Sequence, residues 1–209
     1  LLMLSPIKDR VRTLFAAEGF YTNGPYQNDN QYNRTNLLGK VTTNLSGRDE
    51  ISLKVTFLHS KWDGSGEIPL RTVSRGALDR FGSINPYEGG HTLRTTGQLN
   101  YHYDTTAGGQ FFANAYGQYY RLDLFTDFTF FLNDPDNGDG FAQFDRRVIY
   151  GGDIGYKQRA EVLGVPMIGT LGFQTRVDDV HAKLGTQTRR TPTGTTIDSN
   201  AFTVSYSPF

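Results

Sequence analysis

The alternation of side chains between residues 92 and 124 constrains the fold more than any other feature of this sequence. Over its first half, Leu93, Thr95, Gly97, Leu99, Tyr101 and Tyr103 form one set, and Arg94, Thr96, Gln98, Asn100 and His102 the other. Successive side chains of a strand point to opposite faces, so this is a strand with one greasy face and one wholly polar face. TTAGG at 105–109 reads as a tight turn whose glycines accept positive φ. The next strand starts at Gln110, with Phe111, Ala113, Ala115, Gly117 and Tyr119 opposed to Asn114, Tyr116, Gln118 and Tyr120. In a soluble sandwich the greasy face is core. In a membrane barrel it meets lipid, and the polar face lines a lumen.

Composition narrows the choice without making it. The 209 residues carry 21 basic and 21 acidic side chains, and no basic cluster appears, which argues against a nucleic-acid partner. With no Cys, there is neither a disulfide framework nor a thiolate metal site. The apolar runs are far too short for a spanning helix. A mean hydropathy of -0.48 is compatible with a barrel, whose alternating strands dilute the average. The opening LLMLSPIKDR lacks the basic region and small-residue cleavage site of a signal peptide, so the chain is expected to be either mature or cut from something larger.

The hairpin pattern recurs along the chain. Strands are predicted at Val11–Thr22, 36–43, 50–62, the opening hairpin, 147–158, 167–180 and from Phe202 onward, about eight in all. A short helix is predicted at 72–81. Connections after odd-numbered strands read as long and polar. They include NGPYQNDNQYNR, DFTFFLNDPDNGDGFAQFD and a Thr-rich segment after Val180. Those after even-numbered strands, NLSGRD, TTAGG and RAEVLGVPM, are shorter. Outer-membrane barrels sort their loops in this way, with short periplasmic turns and longer extracellular loops. Several strands also exceed the ~9–11 residues that cross a bilayer. The fold class is therefore all-β, an antiparallel transmembrane β-barrel wall, and the greasy face is expected to meet outer-membrane lipid.

Three stretches, FAAEGFYTNGPYQNDNQYNRTNLLGKV, KWDGSGEIPLRTVSRGALDRFGSINPYEGGHTLR and DFTFFLNDPDNGDGFAQFDRR, resemble the barrel of TonB-dependent outer-membrane receptors. The resemblance runs from about Phe15 to Arg147. It implies a twenty-two-stranded barrel closed by an N-terminal plug, importing a scarce nutrient such as a siderophore or sugar with energy from a TonB-type complex. Nothing in residues 1–209 resembles a plug, so the chain reads as one barrel segment of such a receptor. Phe209 falls outside the apolar set Phe202, Val204, Tyr206, and Pro208 lacks a ladder N–H, so the C-terminus reads as an end inside a strand.

The lumen-lining candidates are Arg94, Gln98, Asn100, His102, Asn114, Gln118, Asp153, Lys157, Gln174 and Arg176. No cofactor is implied. NDPDNGDG at 133–140 lacks the ligand spacing of a calcium loop and reads as a turn-rich tip. His59, His91, His102 and His181 are too scattered for a zinc site. As acid–base pairs, Asp178 and Asp179 point to opposite strand faces, while Asp63 and Glu67 share a glycine-rich loop. Ser46, Ser65 and Ser74 lack a nucleophile elbow, so catalysis is not expected. The sequons at Asn33 and Asn44 are frequent by chance. Tyr101, Tyr103, Phe111 and Tyr156 suit an aromatic girdle at the short-turn end. Trp62, Tyr26, Tyr87 and Phe130 belong to the loop end, as an outer girdle in preference to a stacking surface for ligand. The rival architectures are a secreted carbohydrate-binding β-sandwich and a passive porin-type channel.

Overall fold

The computed structural model describes residues 1–209, apart from the side chain of Val162. It is one antiparallel ten-stranded sheet in which the long strands pair with their chain neighbours. Two short strands, β1 (Leu2–Leu4) and β2 (Ile7–Lys8), both pair with β3 (Val11–Thr22). Then follow β4 (Tyr32–Thr43), β5 (Asp49–Asp63), β6 (Gly89–Asp104), β7 (Gly109–Thr126), β8 (Gly140–Val162), β9 (Val165–Thr188) and β10 (Thr191–Pro208). The eight long strands are the eight that the alternation predicts. Among the described residues β10 does not pair with β1, and the sheet stays open.

Register explains why one face is apolar across the middle of the sheet. From β3 to β9 the pairing carries no bulge, so a single phase of alternation runs across the sheet. A one-residue slip anywhere would turn a strand inside out. One row reads Leu53, Leu99, Ala115, Gly152, Thr175, Tyr206; the next reads Val55, Gly97, Gly117, Tyr150, Val177, Val204. Leu53, Val55, Leu99, Tyr150, Val204 and Tyr206 are all exposed. Among the described residues only Ala142 and Ile149 are buried apolar side chains. A sandwich needs a second sheet to cover this face, and all the strands lie in one.

Five boundaries differ from the sequence reading, among them the start of β8, at Gly140 rather than Arg147. The helix is α1, Leu70–Ser74 rather than 72–81, because Gly76 at φ 68 closes it. Its amide bonds to the Val73 carbonyl and the Ala77 amide to Thr72, the left-handed C-terminal cap that favours glycine. β4 starts four residues earlier, at Tyr32. RAEVLGVPM is mostly strand, turned by Leu163 (φ 53) and Gly164 (φ 80), the positive-φ pair of a two-residue hairpin. The Thr-rich segment is also strand. β9 and β10 meet at a two-residue turn, Arg189 (φ 49) and Arg190 (φ 67). The alternation of connection length therefore holds for 23–31, 64–88 and 127–139 against 44–48, 105–108 and Leu163-Gly164, and fails at the last hairpin.

Candidate functional site

All ten candidate lumen residues stand on the polar face. Arg94, Gln98, Asn100 and His102 lie on β6, Asn114 and Gln118 on β7, Asp153 and Lys157 on β8, and Gln174 and Arg176 on β9, all in one phase of the register. Five polar side chains form a ladder across four strands. Asn100 Nδ2 donates to Ser52 Oγ (3.4 Å), and Gln98 Nε2 to both Asn100 Oδ1 and Asn114 Oδ1 (3.1 Å each). Asn114 Nδ2 then donates to Asp153 Oδ1 (2.9 Å). Gln118 accepts from Thr96 Oγ1 at 3.3 Å, and Arg176 is forked onto Asp178 of its own strand at 2.7 and 2.8 Å. Arg94, His102, Lys157 and Gln174 make no side-chain hydrogen bond among the described residues. Asp179, next to Asp178, stands on the apolar face between Val148 and Phe202.

Further along the same face, towards the 23–31 and 64–88 connections, lies a cavity of about 700 Å³ that the alternation does not reveal. Tyr32, Arg34, Leu58, Ser60, Trp62 and Thr92 line it. Trp62 is thus on the polar face and not in a lipid-facing girdle. It pairs with Gly90, and its Cζ2 lies 3.2 Å from where a Gly90 Cβ would stand, so the missing side chain makes room for the indole. Arg34 is held by an ion pair to Glu18, which also accepts from Asn36 Nδ2 (2.8 Å). Its guanidinium lies 5.5 Å from the Phe20 ring centroid, and Phe20 packs 5.8 Å from Tyr32. Arg34 Nε and Ser60 Oγ are buried without a partner. The signal that marks this cavity in the sequence is the polar-phase position of Trp62, two residues on from Ser60. At the short-turn end Phe111 and Tyr156 pack at 4.6 Å on the apolar face, where a girdle is expected.

The loops beyond are tied by buried polar groups. Arg190 donates from Nε to the Tyr87 carbonyl (2.8 Å) and from Nη2 to the Glu88 carbonyl (2.6 Å) and Asp63 (2.5 Å). Buried Asn85 donates to buried Asp127 (2.9 Å), which also accepts from Thr129 Oγ1 and the Phe130 amide. Burial, and then the charges of Asp127 and Glu67, push the Glu88 carboxyl up to about 7. In NDPDNGDG, Asp134 accepts the Asp136 and Asn137 amides and Asp139 accepts from Asn133, so local turns engage these carboxylates.

A single antiparallel sheet with an apolar exposed face, a hydrogen-bonded polar face and long loops at one end has the architecture of a β-barrel wall. It has the fold of part of the barrel of TonB-dependent receptors. Two solved structures share that fold. The ferric citrate transporter FecA in its unliganded form matches 99% of this chain with a TM-score of 0.76 at 11% identity. FpvAI, in its complex with pyocin S2, matches 93% with a TM-score of 0.63 at 13% identity. At these identities the likeness is one of fold, and the chain spans about 30% of the length of each. No protein-family model and no curated protein matches the sequence.

Proposed function

We propose that this chain is a barrel-wall segment of an outer-membrane receptor that takes up a scarce small nutrient, a siderophore, sugar or similar ligand. Energy would come from a TonB-type complex acting through a plug outside residues 1–209. The observation that carries the membrane half of this reading is the apolar face. Its large side chains are exposed in register across the long strands, and the sheet has almost no core. Left in water, such a face and two open edges drive aggregation. Lipid covers the face, and pairing with the rest of the barrel covers the edges.

For the uptake half, the ten polar-face residues are the lumen lining, and the cavity at Trp62 is where ligand meets this wall. Trp62 and Tyr32 offer ring faces. Arg34 Nε and Ser60 Oγ offer polar groups that no protein atom satisfies, as expected where a ligand supplies the partner.

The test uses cells carrying the full-length parent. A membrane-impermeant thiol reagent should label Asp136→Cys on intact cells and label Ala107→Cys only after the outer membrane is permeabilised. Equal labelling of both would overturn the sidedness. Uptake of a panel of radiolabelled ferric siderophores and oligosaccharides should include at least one substrate that stops when the inner-membrane proton gradient is collapsed. Transport that continues unchanged without the gradient would favour the passive channel.

A further inference from the structure

The apolar face does not run to the top of the strands. On that face, above the row Phe57, Thr95, Tyr119, Val148, the register places two rows of a different character. One contains Arg121, Arg146 and His181, the other Lys61, His91 and Lys183. Asp123 and Asp198 are the carboxylates among them, and Asp179 is an acidic exception one row lower. Four permanent cations thus face two carboxylates along the loop-side border of the band, with three of the chain's four histidines, His59, His91 and His181, at the same level.

The cations are positioned, not loose. The Asp123 side chain, 5% exposed, lies 2.7 Å from Arg121 Nη2, 2.5 Å from Arg146 Nη1 and 2.9 Å from His91 Nε2. Arg146 also donates to the Leu122 carbonyl at 3.0 Å. One buried carboxylate therefore holds two guanidinium groups in a fixed array, while the Arg121 side chain as a whole stays 42% exposed. On the next strand His181 and Lys183 share Asp198, at 2.7 and 3.7 Å, and Lys61 is exposed with no ion pair among the described residues.

We infer that this belt binds the phosphate groups of lipid headgroups in the leaflet that surrounds the loop end of the barrel. The inference rests on the barrel-wall reading. Three features select this occupant. The belt begins where the apolar rows stop, which is headgroup depth. Its excess charge is positive. Asp123 holds the Arg121 Nε–Nη2 fork and Arg146 Nη1, and the remaining Arg121 Nη1 and Arg146 Nη2 groups, without a hydrogen bond among the described residues, are donors that suit phosphate oxygens. A basic side chain near an anionic membrane surface contributes about fivefold in affinity.

The experiment uses the purified full-length parent in mixed detergent micelles, titrated with fluorescent diphosphoryl lipid A and with its fully dephosphorylated form. The phosphorylated lipid should bind at least tenfold more tightly. Lys61→Gln and Lys183→Gln should each weaken it about fivefold while leaving the dephosphorylated lipid unaffected. Lys54→Gln, on the polar face, is the control and should change neither. Folding of each variant is checked by its heat-modifiable gel mobility. Lys61→Gln breaks no ion pair and keeps the test intact if Lys183→Gln misfolds. Equal affinity for the two lipids, or an equal loss with Lys54→Gln, overturns the belt. A folded parent that fails to insert into bilayers overturns the barrel-wall reading itself.

Discussion

The middle of the sheet and its loop end solve opposite problems with the same strands. In the middle, apolar side chains stand exposed on one face, and the polar ladder sits on the other, buried at Ser52 and half-buried from Asn100 to Asp153. At the loop end the buried groups are polar: Asn85, Glu88, Asp127 and Gln187 are each at most 9% exposed. The middle follows from the alternation of apolar and polar side chains between its two faces. The loop end follows from hydrogen bonds between segments far apart in sequence, such as Arg190 to Asp63. Stability in the first region is set by what each face touches. In the second it is set by whether every buried group keeps its partner.

The largest effect that separates the two regions is a charge placed on either face of the middle. Leu99→Arg puts a guanidinium into hydrocarbon and should cost about 2–4 kcal/mol near the midplane. Gln98→Arg, one residue away on the polar face, should cost little. Unfolding of the full-length parent from lipid vesicles measures both. Leu99→Trp then identifies the medium, since a close-packed core resists the ring by roughly 1–3 kcal/mol and lipid accommodates it. Emission from that tryptophan should be quenched by lipids brominated along their tails. A strongly destabilised, unquenched Leu99→Trp beside a quenched Gln98→Trp would invert the assignment of faces.

The next effect belongs to the loop end and depends on pH. The Glu88 carboxyl titrates near 7 when folded, against 4.5 as its ordinary value, because burial and then Asp127 and Glu67 oppose its charge. Below about pH 4.5 it is neutral whether folded or unfolded, and the loop keeps its full stability. As pH rises, the unfolded loop ionises first, so stability is lost progressively until pH passes 7. The upper bound on that loss is about 3 kcal/mol. Exchange of the Gly64 amide, which donates to the Glu88 carbonyl at 2.7 Å, reports it. Corrected for intrinsic base catalysis, protection should fall between pH 5 and 8, and Glu88→Gln should flatten the profile. Identical profiles would show that the carboxyl is not desolvated.

The same contrast explains what was legible in the sequence. The middle was legible because one face is apolar and the other polar, so the period of two survives in Leu93 to Tyr103 and all ten polar-face candidates share one phase. Strand ends at the loop side were not legible, because there both faces are polar or partly covered. Tyr32–Arg34 and 181–188 carry no alternation to mark them as strand. The Arg189-Arg190 turn was invisible for a further reason. Non-glycine residues at positive φ need support, and that support comes from Gln187 beside the turn and from Asp63, Tyr87 and Glu88 a hundred residues or more away. Residue type alone puts Trp62 in a girdle, whereas its pairing with Gly90 puts it on the polar face.

The smallest effect is also the closest comparison, because it changes the same residue type in both regions. Asn114 and Asn85 each have a side-chain amide that donates to an aspartate at 2.9 Å, Asp153 and Asp127 respectively. Asn114 accepts from Gln98, while Asn85 accepts the Tyr87 amide. They differ in exposure: Asn85 is 4% exposed and Asp127 3%, whereas Asn114 and Asp153 are half-buried on the polar face. Removing the amide from Asn85 leaves a carboxylate oxygen and a backbone amide without that partner and away from water. Asn85→Ala should therefore cost about 1–3 kcal/mol. On the polar face water replaces what is lost, so Asn114→Ala should cost under about 1 kcal/mol. Hydrogen exchange localises each loss, at Tyr87 for the first and along β7 for the second. Equal costs would mean that the polar face is as dry as the loop cluster, and the ladder would then be a packed polar core with no lumen beside it.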